Sequence, residues 1–394
     1  MSLPPLILRK NEDRRLRAGH LWVFSNEVDI GRTPLKAFQP GDLVEIQSSS
    51  GHAIGTGYVN PNSLIAARIL SRDPQHLPDR SLLVHRLNIA LSLRERLYPK
   101  PFYRLVFGES DGLPGLVVDR YGDVLVAQIT TAGMERLKAD IVAALEKVLK
   151  PSALVFRNDV GIRQLEGLPL YVETAFGTAP ATVQVEEHGR KFEAPLEGGQ
   201  KTGWFFDQHD NRARLLRYVK DQRVLDVCSY VGGWAVQAAS HGAIETVAVD
   251  SSAQALQWVQ KNAAANGVSV DTLQADAFDA LKDLKEQGKK FGVVILDPPA
   301  FVKRRKDLAA GKDAYRRLNQ LAMQLLDRDG MLISCSCSHH MSGGDLLGAI
   351  QTAARHLGRD AQVLEQGMQA PDHPVHPAIP ETSYLKAFYV RVVA

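Results

Sequence analysis

Apolar and polar positions change period twice along the 394-residue chain, and the changes divide it into three stretches. Over residues 1–75 the apolar runs are short and rich in β-favouring residues: Leu43 to Ile46, Ala53 to Val59 and Leu64 to Leu70, parted by a Ser/Gly turn and by Asn60-Pro61-Asn62. Short strands at this spacing predict a small β-barrel, with Pro74 and Pro78 marking its end. Over residues 76–197 strands and helices interleave. Leu82 to Leu97 has helical period, and Gly115 to Ile129 reads as a hairpin turning at Tyr121-Gly122-Asp123. Gly133 to Leu149 sets Leu137, Ile141, Leu145 and Leu149 four apart, on one stripe of a helix. This is the pattern of an α+β linking domain, and its residues suggest no chemistry beyond scaffolding.

Residues 198–394 alternate strand and helix as a parallel sheet requires. Arg223 to Val227 is followed by a Gly-Gly turn and the helical WAVQAAS. TVAVD ends at Asp250, DTLQAD at Asp276 and FGVVILD at Asp297; a long basic helix, the strand GMLISCS and the closing strand LKAFYVRVV follow. The expected fold class is therefore α/β: a C-terminal Rossmann-like sheet behind a β-barrel and an α+β domain.

Composition narrows the class without choosing a function. Hydrophobic residues at 45% and charged residues at 23% suit a globular chain. No apolar run reaches the roughly 18 residues of a membrane span, so no membrane partner is expected. Only Leu3 to Leu8 precede Arg9 and Lys10, too short a run for a signal-peptide core. With 3 cysteines and no export signal, a reducing, cytoplasmic setting is expected. The 12 histidines show no ligand spacing, His373 and His376 included, and no metal site is expected. A net charge of +3 is too small to argue nucleic-acid binding, which must come from local clusters.

Three successive strand-end acids carry the first chemical signal. In open α/β sheets ligands bind beyond the carboxyl ends of the strands, where such side chains converge. In the turn Asp226 to Ala235, DVCSYVGGWA, Gly232 and Gly233 let backbone pass close to a ligand. Asp250 is placed to accept ribose hydroxyls and Asp276 to meet an adenine. A nicotinamide enzyme shares much of this geometry, but the turn lacks the full G-x-G-x-x-G that cradles a pyrophosphate. A nucleoside without phosphates fits better.

The second signal is a thiol beside an acid. In LDPPAF, two prolines stiffen the chain directly after Asp297. The neighbouring strand runs into ISCSCSHH, Ile333 to His340. Adjacent strands lie about 4.8 Å apart, so a cysteine and an acid at their ends can face one base. That pairing suits methylation at a pyrimidine C5, a carbon too poorly nucleophilic unaided. A thiolate adds to C6, and an acid near N3 steadies the developing charge. An ordinary thiol is only about 3% ionised at pH 7, and bringing its pKa to around 7 requires roughly 2 kcal/mol. Cys228 and Cys335 read as packing residues; Cys337, further out beside Ser338 and His339, is the better nucleophile.

At these residues the chain resembles the bacterial 23S ribosomal RNA cytosine-5 methyltransferases that carry an N-terminal PUA domain. HLWVFSNEV and PGDLVEI…GTGYVNPNS resemble the PUA module, and Gly108 to Gly122 the family's central domain. QKTGWFFDQHDNR, Gln200 to Arg212, is similar to its KTG-aromatic-aromatic-x-DQR signature. The resemblance implies a class I methyltransferase sheet with S-adenosylmethionine as cofactor, Cys337 as nucleophile and Asp297 as its acidic partner. Cofactor contacts are then expected from Lys201, Thr202, Gly203, Phe206, Asp207, Gln208, Asp226, Ser229, Tyr230, Gly232, Asp250, Ser251, Asp276, Ala277 and Asp297. Two departures stand out: Ala300 occupies a place where the family often has Lys, and Cys335 directly precedes the SCS triplet. DHP, Asp372 to Pro374, also matches a family loop and reads as a rigid turn.

The implied partner is large-subunit ribosomal RNA, naked or in an assembly intermediate; homodimerisation is left open. Arg9 to Arg17 holds five basic and two acidic residues, and Phe301 to Arg317 seven against two. RNA contacts are expected from Arg9, Lys10, Arg14, Arg15, Lys303, Arg304, Arg305, Lys306, Arg316 and Arg317. Methylation of a purine nitrogen and a non-catalytic role in ribosome assembly remain the alternatives.

Overall fold

A computed structural model describes residues 3–196 and 202–394. These fall into two compact units, and the chain passes between them more than once. The first contains everything up to Val183, with Pro195–Trp204 and Pro371–Thr382; the second contains Gln184–Ala194, Phe205–Ala370 and Ser383–Ala394.

Within the first unit a five-stranded sheet is built from Pro5–Ile7, Asp42–Gln47, Ala53–Val59, Ile65–Ser71 and Trp22–Phe24, in that spatial order. Its apolar core contains Leu6, Leu8, Val23, Val44, Ile46, Val59 and, from far along the chain, Ile379. A second five-stranded sheet holds the hairpin Leu116–Tyr121 and Val124–Ile129, flanked by Phe102–Phe107, Ala153–Arg157 and Val172–Phe176. Helix Arg80–Leu97 packs beside it, its first turn capped by the Asp79 carboxylate accepting from Leu82 N at 2.9 Å. The stripe expected on a single helix from Gly133 is split between Ala132–Arg136 and Lys138–Leu149, although Ile141 and Leu145 are buried on it. The break falls at Leu137, and Gly133 lies in the first piece, where a Cβ would lie 1.9 Å from the Tyr58 ring. Tyr58 in turn donates to Pro114 O at 2.8 Å, so strand, helix and hairpin lock together.

Polar bonds seat the segment after Pro371 in the same unit. Asp372 Oδ2 accepts from Arg104 N at 2.8 Å, and the Asp372 carbonyl accepts from Arg94 Nη2 at 2.7 Å. Arg94 also grips both oxygens of Asp111, at 2.6 and 2.7 Å, and is 0% exposed. The DHP turn is thus a structural clasp. Removing one partner of a buried ion pair leaves the other charged and unsolvated. Arg94→Met is expected to lower unfolding free energy by about 3–5 kcal/mol, read from urea denaturation.

The second unit is organised by a seven-stranded sheet. Its strands are β1 (Arg223–Val227), β2 (Glu245–Asp250), β3 (Asp271–Gln274), β4 (Phe291–Leu296), β5 (Leu326–Ser336), β6 (Asp360–Gly367) and β7 (Lys386–Val393), in the order β3-β2-β1-β4-β5-β7-β6. Strands β1 to β5 pair in parallel, and β7 pairs antiparallel with β5 and β6. Helices α1 (Gly233–Ser240), α2 (Ala253–Ala265), α3 (Ala277–Glu286), α4 (Leu308–Leu325) and α5 (Gly343–His356) fill the crossovers. One face packs Leu225, Val227, Val249, Leu318 and Met323; the other packs Val224, Trp234, Ile295, Ile333, Cys335 and Tyr389. The order reverses between β1 and β4, the switch point where doubly wound sheets open a crevice at the strands' carboxyl ends.

Candidate active site

The turn after β1 is shaped for a ligand. Cys228, Tyr230 and Gly232 have φ of 67°, 50° and 87°, a left-handed path costly for the two that carry a Cβ. That path is held by Asp250, whose Oδ2 accepts from Tyr230 N at 2.9 Å and Oδ1 from Ser252 N at 2.9 Å. Asp226 Oδ2 accepts from Ala235 N at 3.1 Å in the first turn of α1. Its Oδ1 and the Ser229 hydroxyl are buried with no hydrogen-bond partner among the described residues. Buried unsatisfied groups of this kind are costly unless a ligand completes them.

The acids do converge. The Cys228 thiol is pushed far up by burial and then by the charges of Asp297, Asp250, Asp226 and Asp276. Burial, with Asp297 next, also raises the Asp226 carboxyl well above its ordinary value. Asp276 lies two residues beyond β3 rather than at its end. It caps α3 by accepting from Phe278 N at 2.8 Å, and its side chain is exposed. Ala277 opens that helix half-buried, and Ser251 is exposed. A crevice with a capped acid at β2, orphaned oxygens at β1 and a solvent-facing acid past β3 fits a nucleoside bearing an amine.

Asp297 follows β4 and is held from two sides. Gln208 Nε2 donates to Oδ1 and Trp234 Nε1 to Oδ2, both at 3.0 Å. Burial raises its pKa to about 6, the Trp234 bond opposing and the Asp207 charge adding to the rise. Phe206–Gln208 is a single 3-10 turn, and Asp207 accepts from the Tyr384 hydroxyl. A buried bidentate pair between Arg212 and Glu187 braces that segment. Trp234 and Arg212–Glu187 escaped the sequence reading because their partners lie far along the chain.

The cysteines separate by position. Cys335 is 0% exposed, in the cluster with Ile333, Ala387 and Tyr389, and burial raises its thiol well above the ordinary value. Cys337 is half-buried just past the end of β5. Its neighbours are pinned: Tyr315 shares hydrogen bonds with Ser336 Oγ at 2.9 Å and Ser338 Oγ at 3.1 Å, and Val302 N donates to Ser338 Oγ at 3.2 Å. Leu296 pairs with Ser334, so the Asp297 and Cys337 segments leave adjacent strands. Phe301 packs 4.8 Å from the Tyr315 ring and 6.2 Å from that of Phe278.

Other expected contacts are distributed differently. Thr202 makes its bonds inside the first unit: its hydroxyl goes to Asp119, and its carbonyl accepts from the Tyr121 hydroxyl at 3.1 Å; Gly203 belongs to the same unit, with φ of 119°. Lys201 lies outside the described residues. Among the basic residues, Arg15 is a structural cation, its Nη2 donating to both Glu27 oxygens at 2.7 and 2.9 Å and its guanidinium over the Phe24 ring. Arg9, Lys10 and Arg14 are exposed. The long basic helix begins only at Leu308, because Val302 is buried and anchors the preceding loop. Lys303 and Arg304 lie on that loop, and Arg305 and Lys306 on a 3-10 turn; all four are exposed. Arg304 pairs with Asp307, Arg316 with Asp313, and the Arg317 guanidinium stands 5.3 Å over the Phe278 ring. No group of side chains able to hold a metal occurs among the described residues, and none of their helices is long and apolar enough to cross a membrane.

Residues 154–391 match the S-adenosylmethionine-dependent methyltransferase family, and residues 6–72 match a PUA-like domain. The chain belongs to the S-adenosylmethionine-dependent methyltransferases. A similar relative is ribosomal RNA large subunit methyltransferase I of Salmonella arizonae, 39% identical over 100% of this chain and 98% of its own. The Escherichia coli protein of the same name is 38% identical over 98% of this chain and 99% of its own. A crystallised methyltransferase complexed with S-adenosylhomocysteine shares the fold, with a TM-score of 0.84 at 20% identity, covering 99% of this chain and 100% of that one. As a methyltransferase of this family, the chain uses S-adenosylmethionine as its cofactor. Asp250→Ala, which removes the acceptor that holds the left-handed turn after β1, is expected to weaken S-adenosylmethionine binding about ten- to hundredfold, read by calorimetry.

Proposed function

We propose that the chain methylates C5 of a cytosine in large-subunit ribosomal RNA, with Cys337 as nucleophile and Asp297 as the acid facing the base. The substrate class rests on relatives that cover the whole chain and bear the name ribosomal RNA large subunit methyltransferase I. The observation that carries the chemistry is the half-buried thiol at the mouth of β5, one strand from a carboxyl with a pKa of about 6. Amino-group methylation needs no such thiol, and Phe301 is bedded against Tyr315 and Phe278 rather than standing beside the prolines to stack a base.

When bound, S-adenosylmethionine supplies an electrophilic methyl on a sulfonium. Asp226, Ser229, Tyr230, Gly232 and Asp250 would hold it, with Asp276 reached from the solvent side. Cys337 Sγ forms a bond to C6 while the protonated Asp297 carboxyl donates toward N3, and C5 gains the electron density that lets it take a methyl. Loss of the C5 proton to solvent then expels Sγ as the thiolate, and the proton at N3 returns to Asp297, which restores the ring. The exposed Lys303, Arg305 and Lys306, and Arg9, Lys10 and Arg14 of the PUA-like domain, offer phosphate contacts. The test uses large-subunit ribosomal RNA labelled with tritium at cytosine C5. Methylation should release one tritium per methyl group; methyl incorporation with the label retained would overturn the C5 reading.

A further inference from the structure

We propose that Lys386 is a positioning residue for Cys337, its ammonium group favouring the thiolate and fixing the turn that presents it. The proposal deepens the C5 reading and rests on Cys337 being the nucleophile.

The geometry straddles that cysteine. Lys386 begins β7, where its backbone pairs with Ser336, the residue before Cys337. Its Nζ donates to the carbonyl of Ser338, the residue after Cys337, at 2.7 Å, and to Tyr384 O at 2.8 Å. An ammonium has three protons, and among the described residues no acceptor takes the third. The side chain is half-buried, so its charge is less screened than a surface lysine's.

Burial lowers the ammonium's pKa to about 8, and the charges of Cys337 and then Asp345 oppose that fall. The Asp345 carboxylate, at the start of α5, is already shared with Lys312 and with the Ser342 cap. From α4, Tyr315 offers a hydroxyl bonded to Ser336 and Ser338. The His339 ring lies 5.5 Å from that of Tyr384. Of these groups Lys386 is the cation tied to the backbone on Cys337's own turn. With a pKa of about 8, roughly nine in ten molecules carry its charge at pH 7. Nothing in the SCS triplet signals this lysine; only the β5–β7 pairing brings it there.

Alkylation of Cys337 by iodoacetamide, followed peptide by peptide in full-length protein across pH, tests the idea without any RNA. In the unmodified protein the half-maximal rate should fall below the ordinary thiol value of about 8.5. Lys386→Gln keeps an NH2 for the carbonyls and drops the charge. Its midpoint should rise by about one unit, and its rate at pH 7 should fall about tenfold. Lys386→Arg should stay within about threefold. A midpoint at or above 8.5 in the unmodified protein overturns the proposal, and that measurement needs no variant to fold. An unmoved midpoint in Lys386→Gln also overturns it. So does an equal shift in Lys386→Gln and Lys386→Arg, which would mark lost packing rather than lost charge. Retained tritium in the RNA assay, together with a shifted midpoint, would instead sink the C5 reading and leave the lysine's effect on the thiol standing.

Discussion

Cys337→Ala should abolish both methyl transfer and covalent capture on RNA containing 5-fluorocytosine. The fluorine cannot leave as a proton does, so an enzyme that adds sulfur to C6 stays attached after methylation and migrates with the RNA on a denaturing gel. Removing a nucleophile on which later steps depend lowers turnover by roughly 10⁴-fold or more. Cys335→Ala provides the contrast. Its sulfur is buried among Ile333, Ala387 and Tyr389, so its loss should cost about 1 kcal/mol of stability while capture persists. Capture lost in Cys335→Ala and kept in Cys337→Ala would reverse the assignment of the two thiols.

Asp297→Asn is expected to lower kcat/KM about a hundred- to ten-thousandfold and to change the shape of the pH profile. With a pKa of about 6, only about a tenth of the carboxyl is protonated at pH 7. The reactive form needs Asp297 protonated and the thiol ionised. Their product rises up to about pH 6, stays level until the thiol itself titrates, and then falls. The amide does not titrate, so the variant should lose the break near pH 6 and keep climbing until the thiol is ionised. Stability gives an independent control. A carboxyl whose folded pKa is raised favours the fold below its unfolded pKa near 3.8 and loses that contribution as pH rises through about 6. At pH 8 the variant is free of that buried charge but keeps only one acceptor for the two donors, Gln208 and Trp234. The two changes offset, and unfolding free energy should stay within about 2 kcal/mol of the parent. A break near pH 6 that persists in a folded Asp297→Asn protein would remove Asp297 from the chemistry.

The chemistry-bearing sheet was legible because buried parallel strands are continuous apolar runs, and an acid directly after such a run stands out. The runs that end at Asp250 and Asp297 are strands β2 and β4. What could not be read were positions set by tertiary packing. Asp276 reads as a strand end but caps a helix, because β3 stops at Gln274. Lys303 to Lys306 read as helix, but burial of Val302 holds the loop before it. Arg15 and Thr202 look like ligand contacts until Glu27 and Asp119 claim them. Trp234, Arg212 and Lys386 act through partners distant in the chain, and local spacing carries no trace of them. The middle of the chain, read as scaffold, does hold a buried clasp at Arg94, Asp111 and Asp372.

That clasp has a consequence for synthesis. Ile379 fills the core of the N-terminal sheet, and Asp372 is gripped by Arg94 and Arg104. The first unit therefore lacks part of its interior until residue 382 leaves the ribosome, some 200 residues after Val183. At roughly 5–20 residues per second this is a wait of about 10–40 s, during which the nascent sheet exposes apolar surface. A chain cut short before Asp372 would therefore leave the PUA-like domain without Ile379 in its core, besides losing the closing strand of the second sheet.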